Sequence, residues 1–157
     1  DIPTLDLQME FNLARPFYYA YEDPALSYTN YRNPLAHPLG ANFREVVLVG
    51  RYQPLDRLSL MGTIIYSDQG LDDATNNFGG DLLKSTDTRV ADTGNSIGQG
   101  VESKTTFIEL RGSYMLLHNV FADLRFNFRS NRSLQDTNSA IARLSLRWNL
   151  PTRQHEF

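Results

Sequence analysis

In LDLQMEFNL, residues 5–13, every second residue is apolar: Leu5, Leu7, Met9, Phe11 and Leu13 alternate with Asp6, Gln8, Glu10 and Asn12. A period of two puts the two sets on opposite faces of an extended strand, one apolar and one polar. No stretch of the chain shows a helical period. The alternation predicts strands near 4–14, 43–53, 57–67, 104–116, 120–129 and 138–149. The fold class that follows is all-β and antiparallel, as one segment over residues 1–157.

The links between these strands alternate in length. Residues 15–42 and 68–103 are long, Pro54–Arg57 and Leu116–His118 are tight turns, and 130–137 is of medium length. Long links without structure of their own are unusual inside a compact soluble domain. Long and short links in strict alternation suit an outer-membrane barrel, with long extracellular loops and short periplasmic turns. The C-terminus is then expected in the periplasm. Nothing approaches the roughly 18 apolar residues of a spanning helix. The chain opens on Asp1 and reads as a strand almost at once, without a signal peptide, so a mature or truncated chain is expected.

Aromatic residues fit that orientation. Tyr52, Tyr114 and Trp148 fall on the apolar face toward the tight turns; Tyr66, Phe126 and Phe128 fall toward the opposite ends of their strands. Two aromatic belts flanking an apolar band are expected where amphipathic rings meet a lipid interface. The polar face carries Asp6, Glu10, Arg51, Glu109, Arg111, Asp123, Arg125, Arg143 and Arg147. A hairpin through Leu116–His118 is expected to set Glu109 opposite Arg125 and Arg111 opposite Asp123, with Leu110 meeting Leu124 and Ile108 meeting Phe126. These charges read as a salt-bridged ladder in a polar lumen, or as a lining that selects by charge. Val47, Val49, Met61 and Ile65 also point inward, which suits a plugged or packed lumen better than a water-filled one. Six strands do not close, since the smallest barrels of this class have about eight. Either the chain is part of a larger barrel, which is the expectation, or several chains share one.

The runs LDLQMEFNLARPFYYAYED, NPLAHPLGANFRE and RYQPLDRLSLMGTIIYS resemble the C-terminal part of the Wzi-type capsule-assembly family, nearest to the branch containing the gliding-motility protein RemB. NNFGGDLL, IGQGVESK, YMLLHNVFADL and LSLRWNLP extend the resemblance over nearly the whole chain, and LAHPLGANFRE is its most specific piece. It implies a barrel of about eighteen strands with a periplasmic helical plug, and a role in holding capsular polysaccharide at the cell surface. In such a barrel PLAHPLG would end an extracellular loop, stiffened by Pro34 and Pro38, with Gly40 at a positive φ.

The first long link holds Tyr18, Tyr19, Tyr21, Tyr28 and Tyr31 together with Asp23, Arg32 and His37. Tyrosine offers a flat apolar ring and a polar edge, and charged groups add directional hydrogen bonds, so these residues are candidates for binding carbohydrate. The commoner use of such tyrosines is an interfacial belt and a self-packed loop. In the second link Asp68, Asp72, Asp73 and Asn76 offer oxygens of the kind calcium takes, without the spacing of an EF-hand; a solvated loop is the plainer reading. His37, His118 and His155 are too dispersed for a metal site or for histidine catalysis, and no nucleophile elbow, phosphate loop or metalloprotease motif occurs. The absence of cysteine excludes disulfides and thiolate metal sites, and a net charge of -3 gives no basic footprint for nucleic acid. The function expected is therefore non-enzymatic and without a cofactor or metal, with outer-membrane lipid and surface polysaccharide as partners. The alternatives are a structural subunit of a gliding or secretion assembly that binds other outer-membrane proteins, a diffusion channel and, more remotely, a soluble β-barrel carrier.

Overall fold

The structure is a computed structural model and describes residues 3–150. It is all-β. Six long strands form one antiparallel sheet in chain order: β1 (Leu5–Ala14), β4 (Phe43–Leu55), β5 (Leu58–Leu71), β6 (Val101–Leu117), β7 (Val120–Arg132) and β8 (Thr137–Trp148). The first long link adds a two-residue hairpin, β2 (Thr29–Asn30) with β3 (Asn33–Pro34). β5 and β6 extend past the predicted strand ends, which shortens the second long link to residues 72–100. β1 and β8 are the two edges of the sheet and do not pair with each other.

The alternation sets the faces. Pairing through Leu5↔Tyr52, Tyr52↔Leu60, Leu60↔Gly112, Gly112↔Leu124 and Leu124↔Leu144 carries one apolar face across all six strands. That face is bare: Leu7 is 75% exposed, Met9 70%, Leu124 56% and Leu144 80%. Three glycines in its centre, Gly50, Gly62 and Gly112, lie under the ends of Leu7, Leu110 and Leu60. The opposite face carries every charge predicted for it, and Val47, Val49, Met61 and Ile65 lie there too, by the same register.

The β6–β7 register differs from the predicted one by two residues. Glu109 lies opposite Asn127, Arg111 opposite Arg125, and Ser113 opposite Asp123. On the apolar face Leu110 meets Phe126 and Ile108 meets Phe128. The turn is His118–Asn119, one step beyond Leu116–His118, with Asn119 at φ 62° and a register irregularity between Met115 and Leu117. A slip of two leaves every side chain on its own face, so alternation cannot detect it. The left-handed conformation at Asn119 and the irregularity in the strand decide it.

Burial is concentrated at the loop end of the sheet. Ala14, Ala41, Phe43 and Leu82 form the buried apolar cluster, with Ala20 and Leu39 packed against it. Phe43 and Ala14 are paired positions on the polar face. The long links therefore fold over the upper part of the polar face and leave the apolar face open.

Candidate functional site

The layer of loops is held by one side chain that the sequence reading did not single out. Asn42, directly before β4, is fully buried and has φ 58°. Its Nδ2 donates to the carbonyls of Gly70 and Gln99, each at 2.8 Å. Its Oδ1 accepts the backbone N–H of Gly98 at 2.8 Å. Its carbonyl accepts the N–H of Gly70 at 2.9 Å, and its own N–H donates to Arg15 at 3.3 Å. One asparagine thus joins the first long link, the top of β5 and the end of the second long link. Asparagine suits the position because it tolerates the left-handed region and carries both a donor and an acceptor.

The Pro-Leu-Gly turn before it has a matching role. Gly40 adopts φ 74° as predicted, and its N–H donates to the carbonyl of His37 at 2.9 Å. His37 stacks on Phe43 and points Nε2 at Glu45 Oε1, 3.0 Å away, while its Nδ1 accepts the N–H of Leu39. These contacts anchor the hinge to the top of β4.

Four of the five candidate tyrosines come together. Tyr18, Tyr19, Tyr21 and Tyr28 line an open hollow of about 550 Å³ with Phe17, Ala20 and Leu26. Tyr18 and Tyr19 meet edge to face at 4.3 Å between ring centroids, and Tyr19 and Tyr28 lie 5.7 Å apart. Phe17 and Tyr19 hold φ of 62° and 72°, conformations that bulky residues avoid. Cross-links from the second link maintain them: Phe17 N–H donates to Gly79, and Thr86 N–H donates to Tyr21. Strained bulky residues persist where the surroundings over-determine them, and such places cluster at ligand clamps. Tyr31 and Arg32 form the tip of the β2–β3 hairpin, at φ 47° and 64°, and like His37 they stand outside the hollow.

The carboxylates in the second link and at the end of β5 are already engaged by neighbouring groups. Asp68 accepts two hydrogen bonds from Arg44, at 2.7 and 2.9 Å. Asp72 pairs with Lys84 at 3.1 Å and accepts the N–H of Phe78 at 2.7 Å. The side chain of Asn76, then the backbone N–H groups of Thr75 and Asn76, hold Asp73 far below the usual carboxylate range. Among the described residues no three His, Cys, Asp or Glu side chains are grouped to hold a metal ion. His118 lies in the β6–β7 turn, and His155 lies outside the described residues.

The aromatics of the apolar face follow two sloping lines. Tyr52 shares a row with Gly112 and Leu144, whereas Tyr114 lies two residues and Trp148 four residues further toward the turn end. Tyr66 shares a row with Ser130, and Phe128 lies two residues below it. Both lines descend by one residue per strand. A stagger of about 3.3 Å for each 4.8 Å of sheet width tilts the strands by about 35° from the perpendicular to the aromatic lines. Phe126 sits one outward position below Phe128, inside the band. Immediately above the upper line the same face turns charged, in the row Arg44, Asp68, Lys104 and Arg132.

The charges of the polar face pair in three places, the first across β1 and β4, where Asp6 accepts Arg51 at 2.7 Å. Glu109 accepts Arg111 at 2.8 Å and Asn127 at 2.7 Å. Asp123 accepts Arg147 at 2.9 Å, and Arg147 also reaches Ser113. The ladder is therefore built between β1 and β4, along β6 and between β7 and β8, and the predicted pairs Glu109–Arg125 and Arg111–Asp123 do not form. Arg143 lies directly opposite Arg125.

Comparison with family models, with curated proteins and with solved structures finds no match to this chain.

Proposed function

We propose that this chain is a section of the wall of a larger outer-membrane β-barrel, non-enzymatic, whose loop layer binds surface polysaccharide. The observation that carries the membrane half is the inverted burial. Leucines in the middle of the sheet are bare while Asn42, Asn77 and Ser67 at the loop end are buried. An apolar sheet face of this extent suits lipid, where it needs no covering layer. The two aromatic lines support the same reading, since their slope of about 35° lies at the tilt of barrel strands. The charged row above Tyr66 is where headgroups would begin. The open edges of β1 and β8 then require further strands, because unpaired backbone groups are costly in lipid.

For the polysaccharide, support comes from the tyrosine hollow at the loop end. Flat rings held by a cross-linked, strained backbone can stack on sugar faces with little loss of freedom on binding. Assignment to the Wzi-type family, near RemB, rests on the sequence resemblance. The test is binding of purified surface polysaccharide to the native protein extracted in detergent. Replacing Tyr19, Tyr21 and Tyr28 together by Ala is expected to weaken binding at least about tenfold. Unchanged binding would remove the tyrosine site. No glycan binding, with a protein that stably copurifies, would favour a structural subunit of a surface assembly.

A further inference from the structure

The polar face holds an arrangement that salt-bridge formation leaves unexplained. Arg111, Arg125 and Arg143 occupy one cross-strand row on β6, β7 and β8. Like charges directly opposite one another on a sheet are destabilising. Together with Arg147, Asp123, Ser113 and Ser145 they line a hollow of about 810 Å³.

The acids nearby are already used. Glu109 is held by Arg111 and Asn127, and Asp123 by Arg147 and Ser113. Among the described residues neither Arg125 nor Arg143 has a carboxylate within salt-bridge distance, while the buried Nε of Arg111 has no hydrogen-bond acceptor. Four guanidinium groups against two carboxylates leave the cluster with two positive charges in excess. On the proposed reading an apolar wall in lipid backs this face, and such a wall strengthens the field of the cluster.

We propose that the Arg111–Arg125–Arg143 row is an oxyanion-binding site on the lumen face, for a carboxylate or phosphate group. Adjacent guanidinium forks can hold the two oxygens of such a group bidentately, and the anion removes the repulsion along the row. Ser145 supplies a neutral hydroxyl donor at its edge. The lumen location rests on the barrel reading; the charge cluster itself does not.

The test uses the native full-length protein in detergent at low ionic strength, titrated separately with inorganic phosphate and with glucuronate by calorimetry. Saturable binding of either is expected, weakened at least about tenfold in the Arg125→Gln/Arg143→Gln double variant and weakened further by added salt. The arm that binds more tightly identifies the source of the oxyanion. Arg57→Gln, at the β4–β5 turn, should bind as the parent does. Equal binding by parent and double variant, or no binding of either probe, would overturn the proposal. A lower thermal midpoint in the double variant with no response to either anion would also overturn it, and would place an acidic protein segment on the row. Anion binding by a protein that proves soluble without detergent would sink the barrel reading while leaving the site intact.

Discussion

Replacing Asn42 should release the loop layer while leaving the sheet in place. The side chain makes three hydrogen bonds of 2.8 Å in a fully buried position, to Gly70, Gln99 and Gly98. Asn42→Gly keeps the positive φ but strands two carbonyls and one N–H. At about 1 kcal/mol each, the low end for buried groups that water can reach after opening, the cost is about 3 kcal/mol. Asn42→Ala adds about 1 kcal/mol for holding a Cβ in the left-handed region. Asn42→Asp is expected to be worse than either, because a carboxylate would face the oxygens of Gly70 and Gln99 without a donor. A loss of about 4 kcal/mol corresponds to roughly a thousandfold larger opening constant. Hydrogen exchange at the Gly70 and Gly98 amides and limited proteolysis between residues 72 and 100 would report it. Amides of Phe107–Arg111, in mid-sheet, should keep their protection. Gly70→Ala offers a companion, since a Cβ there would lie 1.9 Å from the Gln99 carbonyl and 2.4 Å from Asn42 Nδ2. Its effect should overlap with that of Asn42→Ala rather than add to it. Protection and proteolysis unchanged in Asn42→Ala would refute the view that this side chain welds the loops.

Two further outcomes follow from the faces and the loops. Leu110→Arg places a charge in the centre of the apolar face and should cost about 2–4 kcal/mol of stability for the native protein in lipid vesicles, read by denaturant titration; no loss would mean that the face does not meet lipid. Asp73 has its carboxyl lowered in the folded state, so its contribution is fully present above the unfolded value near pH 4 and is lost only as pH falls through the lower folded value. The Thr75 and Asn76 amides, which donate to Asp73, should therefore be equally protected at pH 7 and pH 5 and loosen only in stronger acid; loosening between those two values would contradict the capping geometry.

Much of the sheet was readable from residue spacing because its physical cause is local. A strand with one face toward an apolar medium and one toward a polar one must alternate, and the segments do so except in the middle of β4 and β5, where Val47, Val49, Met61 and Ile65 make the polar face apolar as well. The aromatic positions followed from the same parity. The exact register of β6 and β7 did not, since a two-residue slip satisfies both faces equally. The sequence reading chose the pairing that set opposite charges across from each other. The chain instead pairs Glu109 with Arg111 along one strand and Asp123 with Arg147 across the β7–β8 pair, in the register that goes with the left-handed turn residue Asn119. In the loops, the tyrosines were visible as a group, but which of them converge was not. Tyr31 and Arg32 leave the group because Asn30 and Asn33 pair around them in a tight hairpin.

The sequence by itself determined that there are six long strands and which face of each is apolar, since both depend on neighbours two residues apart; it left the pairing of the last two strands open. Only the tertiary structure decided the role of Asn42. Its partners lie 28, 56 and 57 residues away, and nothing in Ala-Asn-Phe distinguishes a buried hub from an ordinary strand start. The tertiary structure likewise aligned Arg111, Arg125 and Arg143, whose spacing along the chain is unremarkable until register sets them side by side.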